Sequence, residues 1–194
     1  VFSVSATTSE ALPLRSVEEL SQRLLCLWAV TGTAYHPDNS FFGDYIRTKG
    51  LEKHLSGGER SFLYSSARSR EEIHRFTWMH ECVYVLAWCG SLLPSIQLPN
   101  HQSQLGDAVM DLFPEDLEQP DALRRALCLR AAAEVHSFTE QVYHAHWRIR
   151  DAKSRALPAP DGLDGEAIQE WHLALNWMTK YEDEDNWDAI TTDT

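Results

Sequence analysis

Positive charge is scarce in this sequence. Lys and Arg together number 17 against 29 Asp and Glu, a formal net charge of −12. Proteins that grip nucleic acid do so through a basic surface laid against the phosphates. That balance argues against nucleic acid as the main partner and suits a basic protein partner reached by electrostatic steering. Long apolar runs are also missing. The longest candidate, Cys82 to Leu93, falls short of the roughly 20 residues needed to span a bilayer and contains Trp88, Gly90 and Ser91. No membrane span is expected. Val1 to Ser9 have neither a basic start nor a full apolar core, so a secretory leader is not expected either.

The catalytic and metal-binding strings are absent too. The four cysteines, Cys26, Cys82, Cys89 and Cys128, form no Cys-x-x-Cys pair and sit in apolar, helix-patterned surroundings. They read as free, buried thiols in a reducing, cytoplasmic setting, not as zinc ligands. Leu55-Ser56-Gly57-Gly58-Glu59 looks like the signature of ABC-type ATPases, but no P-loop accompanies it. No His-Glu-x-x-His occurs. In His144-Ala145-His146 the two rings point about 200° apart on a helix and cannot share an ion. His136, Glu140 and His144 do share a face, which reads as a solvated stripe before it reads as a metal site. No metal and no cofactor is expected.

What the chain does have is the material of one helical domain. Its 194 residues are 43% hydrophobic and 24% charged, enough to bury roughly 70% of the unfolded surface without a metal or disulfide. β-alternation, repeats and low-complexity tracts are lacking. Three capping boxes, Ser16 with Glu19, Ser56 with Glu59 and Ser69 with Glu72, mark helix starts. The pattern predicts an all-α fold, a single compact domain of about seven helices over 16–194, after an N-terminal extension of 1–15. A helix from Ser16 to about Gly32 turns Leu20, Leu24, Leu27, Trp28 and Thr31 to one side. Shorter helices are expected over about 41–48, 59–67 and 104–113. A central helix runs from Ser69 to Gly90, with Gly90 as its C′ residue and Pro94 beyond it as a stop. A long helix starts at Pro120 and runs to about Arg155, burying Val135, Phe138, Val142, Ala145 and Ile149. A last helix spans about 166–181. The core is expected from the central, long and C-terminal helices.

Certain polar residues lie where apolar ones are expected. Glu81 sits between Trp78 and Trp88 on the central helix. Arg130 and Glu134 stand four apart beside Leu127, Leu129 and three alanines. His172 and Asn176 share a face of the last helix, with Trp177 beside them. A buried acid needs a cation or a raised pKa, so these residues form either clasps between helices or a site. The closing Trp187-Asp188-x-Ile190 is too apolar for a frayed tail. Trp187 is expected buried, with Asp188 or the last residues bonded to the central and long helices.

Several of these strings together resemble a family. Thr77-Trp78-x-x-Glu81, Leu86-Ala87-Trp88-Cys89-Gly90, Leu129-Arg130-x-x-x-Glu134, Tyr143-x-x-His146-Trp147, His172-x-Ala174-Leu175-Asn176-Trp177 and Trp187-Asp188-x-Ile190-x-Thr192-Asp193-Thr194 are similar to the bacterial domain-of-unknown-function 4272 family. The resemblance covers about residues 16–194 and implies a helical, soluble bacterial protein with no assigned activity. The chain departs from the family pattern at Met79, His144 and Trp171, where the pattern carries Arg.

Two functions follow as expectations. One is a non-catalytic acidic domain, immunity-type or regulatory, that binds a basic protein partner through an acidic, partly apolar patch. The other is a small-ligand-binding or hydrolase-like protein with a polar pocket of Glu81, Arg130, Glu134, His172 and Asn176, flanked by Trp177, Trp187 and Asp188. In it Glu81 or Glu134 is the base, His172 the proton shuttle and Arg130 the anion stabiliser. That reading requires the side chains to converge on one open cavity.

Overall fold

The three capping boxes form as the sequence spells them. Ser16, Ser56 and Ser69 each accept the N–H of the Glu three residues on, and each Glu reaches back to the serine N–H at 2.8 Å. A computed structural model describes residues 13–118 and 121–194 of the chain. The boxes start α1 (Val17–Tyr35), α3 (Gly57–Tyr64) and α4 (Arg70–Trp78). Between them α2 covers Phe41–Thr48, and α4 is followed by α5 (His80–Cys89), α6 (Asp107–Met110) and α7 (Ala122–Ala126). The long α8 (Ala132–Ser154) and α9 (Gly165–Met178) complete the order. Asp164 caps α9 by accepting from Glu166 N and Ala167 N. The described residues are all helix, turn and loop, without a strand. Pro120 and most of the expected N-terminal extension lie outside the described residues.

Two of the seven expected helices are broken. The central one divides at Met79 into α4 and α5. There the His80 ring takes the Thr77 carbonyl at 2.8 Å, and the Thr77 hydroxyl bonds back to Ile73 O at 2.7 Å. Side chains that intrude on the backbone ladder in this way bend a helix. The long helix divides more completely, because 127–131 runs extended. Its N–H groups are needed elsewhere: Cys128 N and Arg130 N donate to Gly90 O and Cys89 O at 3.1 and 3.0 Å. They thereby satisfy carbonyls that the end of α5 leaves open. The break exposes Cys128, whereas Cys26, Cys82 and Cys89 are buried. Gly90 is not in the left-handed region; Ser91 is, at φ 60°. Glycine is required at 90 because a Cβ there would lie 2.3 Å from the Leu127 side chain.

The core has one more pillar than the sequence suggests. α9 packs against α5 and α8, and α1 packs against α2, α4 and α5. Leu20, Leu24, Cys26, Leu27, Ala29 and Val30 of α1 are all fully buried. α1 is thus enclosed on most sides, not on one stripe. It also runs past Gly32 to Tyr35, with the Phe42 ring laid against that glycine.

Candidate functional site

The polar residues singled out by the sequence fall into separate clusters. Glu81 is fully buried at the start of α5. Its Oε2 accepts from Trp171 Nε1 of α9 at 2.8 Å, and its Oε1 accepts from Ser103 N at 2.6 Å and faces His80 Nε2 at 3.1 Å. Burial pushes its carboxyl upward, but the bonds from His80, Ser103 and Trp171 outweigh it and hold the pKa below the ordinary value. His80 moves the other way. Burial pulls it down, and the bonds to Glu81 and the Thr77 carbonyl carry it above the usual range. Both ring nitrogens face acceptors, so His80 is an imidazolium paired with a carboxylate.

Arg130 forms a second cluster. It precedes α8, and Glu134 lies in the first turn of that helix. The guanidinium bonds Glu134 at 2.9 Å, Trp88 O at 2.7 Å and Leu93 O, and lies 4.8 Å above the Trp88 ring. It pins the turn after α5 to the start of α8.

His172 belongs to a third. Its Nδ1 lies 2.9 Å from Nδ1 of His146 on α8, and both rings are buried. Burial lowers both, and the neighbouring His146 adds to the effect on His172, which falls to about 4. Two neutral rings then share one N–H between them.

The tail gathers the rest. Asn176 Nδ2 donates to Thr191 O at 2.8 Å. Trp177 and the buried Trp187 meet edge to face at 5.9 Å. Arg15 lies 4.8 Å over Trp177 and Arg23 lies 4.6 Å over Trp187, giving a stack of Arg, Trp, Trp and Arg. Arg23 pairs with the fully buried Glu59 at 2.5 Å. Arg15 bonds Trp177 O, Glu184 O and Asp185 at 2.6–2.8 Å. Together they wall a cavity of about 370 Å³. Trp187 is buried as expected. Asp188 goes elsewhere than expected, accepting the Gly58 N–H of α3 at 2.8 Å, while Thr194 does reach α8 through Arg150 at 3.0 Å.

The five side chains of the expected pocket therefore do not converge. Among the described residues, no hydrogen bond or ion pair links Glu81, Arg130 and His172 to one another, and each is held by its own partners. Nor is any group of three His, Cys, Asp or Glu placed to hold one metal ion among the described residues. Sequence reasoning passed over Arg15, Arg23 and Glu59. Arg23 carries a signal, since Leu20 and Leu27, three and four residues from it, stand on the same side of the helix. Glu59 has a second partner beyond its capping box, since one oxygen accepts Ser56 N and the other faces Arg23.

On its outer side the tail builds a surface of a different kind. Tyr143, Trp147 and Arg150 share a face of α8, and Tyr143 and Trp147 are 39% and 49% exposed. Tyr181, 43% exposed, stands in the same neighbourhood. The carboxylates of Asp193 and Glu182, and the Tyr143 hydroxyl, raise its pKa. Lys180 and Glu182 lie at φ of 55° and 57°, a region that L residues other than Asn and Asp seldom adopt, and Asp183 follows them there at 55°.

The architecture is that of an all-α domain closed by its own C-terminal segment, with buried polar clasps between helices. The sequence profile of a family described as a domain of unknown function (DUF4272) matches residues 3–190, and the chain belongs to that family. No curated protein and no solved structure matches the chain.

Proposed function

We propose that this is a non-catalytic binding domain, immunity-type or regulatory, that takes a basic protein partner on the face made by α8 and the tail. The observation that carries the reading is the grouping of Tyr143, Trp147 and Tyr181, all large and exposed, with Glu182 and Asp193. Exposed aromatics beside carboxylates suit arginine and lysine, whose charge pairs with the acids and whose head lies over a ring. The net charge of −12 steers such a partner toward the surface. The left-handed backbone at 180, 182 and 183 adds support, because strained turns persist where a surface must be aimed. The hydrolase reading draws less support, since Glu81 and the shuttle His172 lie in clasps apart from the Arg130–Glu134 pair. Burial pushes the Cys26 thiol to about 12 and raises Cys82 and Cys89 as well, so these thiols are poor nucleophiles. They suit a reducing, cytoplasmic setting.

The test is a titration with an arginine-rich peptide, followed by amide chemical shifts. Binding is expected to perturb α8 and residues 180–194 and to weaken as salt rises. Trp147→Ala with Tyr181→Ala should weaken it at least about fivefold, with little change in melting temperature. Shifts confined to another face, or an unaltered affinity in the double variant, would overturn the reading.

A further inference from the structure

A second cavity, independent of the outer face, lies between α1, α2, α5 and the loop around 103–113. Its volume is about 430 Å³, within the range of small-molecule sites. Trp28, Phe42, Tyr84 and Phe113 supply ring faces and edges to its wall, and Trp28 stacks on Phe113 at 6.0 Å. Among its described lining residues none is Asp, Glu, Lys or Arg, although such residues are 24% of the chain. Two histidines line the wall, His36 on the exposed side and His80 deeper in. Both nitrogens of His80 are taken, and Glu81 lies behind it at 3.1 Å, so that pair is neutral as a unit.

Two further observations point to an occupant. Thr31 lines the cavity and is 92% buried by its 8% exposure, yet its hydroxyl has no hydrogen-bond partner. A helical threonine usually returns its hydroxyl to the carbonyl four residues back, as Thr33 does to Ala29 O at 2.9 Å. A buried hydroxyl left unmatched is costly. Having almost no accessible surface of its own, it meets an occupant by turning of the Thr31 side chain about its Cα–Cβ bond toward the cavity. At the rim, Tyr35 and Met110 are 53% and 44% exposed. The loop that forms the far wall is held down by Ser103 N on Glu81 at 2.6 Å.

We infer that this cavity binds a small, uncharged aromatic molecule, its ring set among Trp28, Phe42 and Phe113 and one polar group bonded to the Thr31 hydroxyl. A charged ligand is disfavoured, because His80 is already paired with Glu81 and the lining holds no Asp, Glu, Lys or Arg to offset its desolvation. Glu81 acts as a positioning residue, fixing the loop wall through Ser103.

The experiment uses the full chain and three probes, 2-naphthol, naphthalene and 2-naphthoate, in ligand-observed NMR titrations near neutral pH. 2-Naphthol is expected to bind with Kd of about 0.1 mM, and 2-naphthoate at least about tenfold more weakly. Thr31→Val should weaken 2-naphthol about five- to tenfold, the worth of one hydrogen bond, and leave naphthalene unchanged. Leu105→Glu, at a half-buried wall position, and Met110→Glu, at the exposed rim, should each reduce binding of both neutral probes. Met110→Glu keeps the test informative should Leu105→Glu disturb the fold. 2-Naphthoate binding as tightly as 2-naphthol, naphthalene weakened by Thr31→Val as much as 2-naphthol, no saturable binding of 2-naphthol, or neutral-probe binding indifferent to Met110→Glu would each overturn the assignment.

Discussion

Lowering the pH should unload the His146–His172 contact between α8 and α9 before it touches the carboxylate clasps. His172 is held at about 4 in the fold, chiefly by burial, whereas an unfolded histidine titrates near 6.5. Between those values the unfolded chain binds a proton that the folded chain refuses. Stability therefore rises with pH across this window. It is fully present above about 6.5, is lost as pH falls toward 4, and is flat below. A difference of about 2.5 units at 1.36 kcal/mol each sets a ceiling of about 3.4 kcal/mol, and partial solvent screening brings the expected loss to about 2 kcal/mol. His146, also lowered by burial, acts in the same direction. The assay is urea unfolding at intervals from pH 7.5 to 4, with His172→Gln as the reference. The variant cannot titrate at 172, so its stability should fall by about 2 kcal/mol less than the parent's over the window. Parallel curves for the two proteins, or an NMR titration placing His172 near 6.5, would refute the reasoning.

Two other perturbations test the packing. Arg23→Met strands the fully buried Glu59 carboxylate and should cost about 3–5 kcal/mol in chemical denaturation. Adding Glu59→Gln, which keeps the oxygen that accepts Ser56 N, should recover part of that loss; strict additivity would mean the pair is not coupled. Gly32→Ala places a Cβ 2.2 Å from the Phe42 ring. It should lower stability by about 1–3 kcal/mol, read as a drop in melting temperature of about 2–4 °C per kcal/mol.

The helix starts were legible because a capping box is local chemistry: Ser and Glu three apart satisfy each other's backbone wherever the chain goes next. The breaks were not. Leu127, Leu129 and the alanines after them are good helix formers, and only the open carbonyls of Cys89 and Gly90, distant in sequence, draw 127–131 into an extended strip. Met79 is similar, since the break depends on where the His80 ring turns. Glu81 was legible as an anomaly and is paired as a buried acid must be, whereas the equally buried Glu59 was hidden by its capping-box role. The separation of Glu81, Arg130 and His172 into different clusters was not legible. Periodicity places a residue on a face of its own helix but does not say which neighbour that face meets. Arg15 shows the same limit. It falls just before the first helix, yet its backbone N–H reaches Met178 O at 3.0 Å and its side chain binds the acidic run from Glu184.

That long-range clasp links the stability of the fold to the surface proposed for binding. Tyr181, Glu182 and Asp193 come from the closing segment, whose position is set by three bonds. Arg15 holds Asp185 at 2.6 Å, Asn176 holds Thr191 O at 2.8 Å and Arg150 holds Thr194 at 3.0 Å. Beneath them Trp177 and Trp187 are stacked between Arg15 and Arg23. The indoles therefore need no contact with a partner to matter for binding. They fix the platform that carries Tyr181 near Tyr143, much as Glu81 fixes the loop over the second cavity. In both places a buried carboxylate or guanidinium positions exposed groups that it never touches.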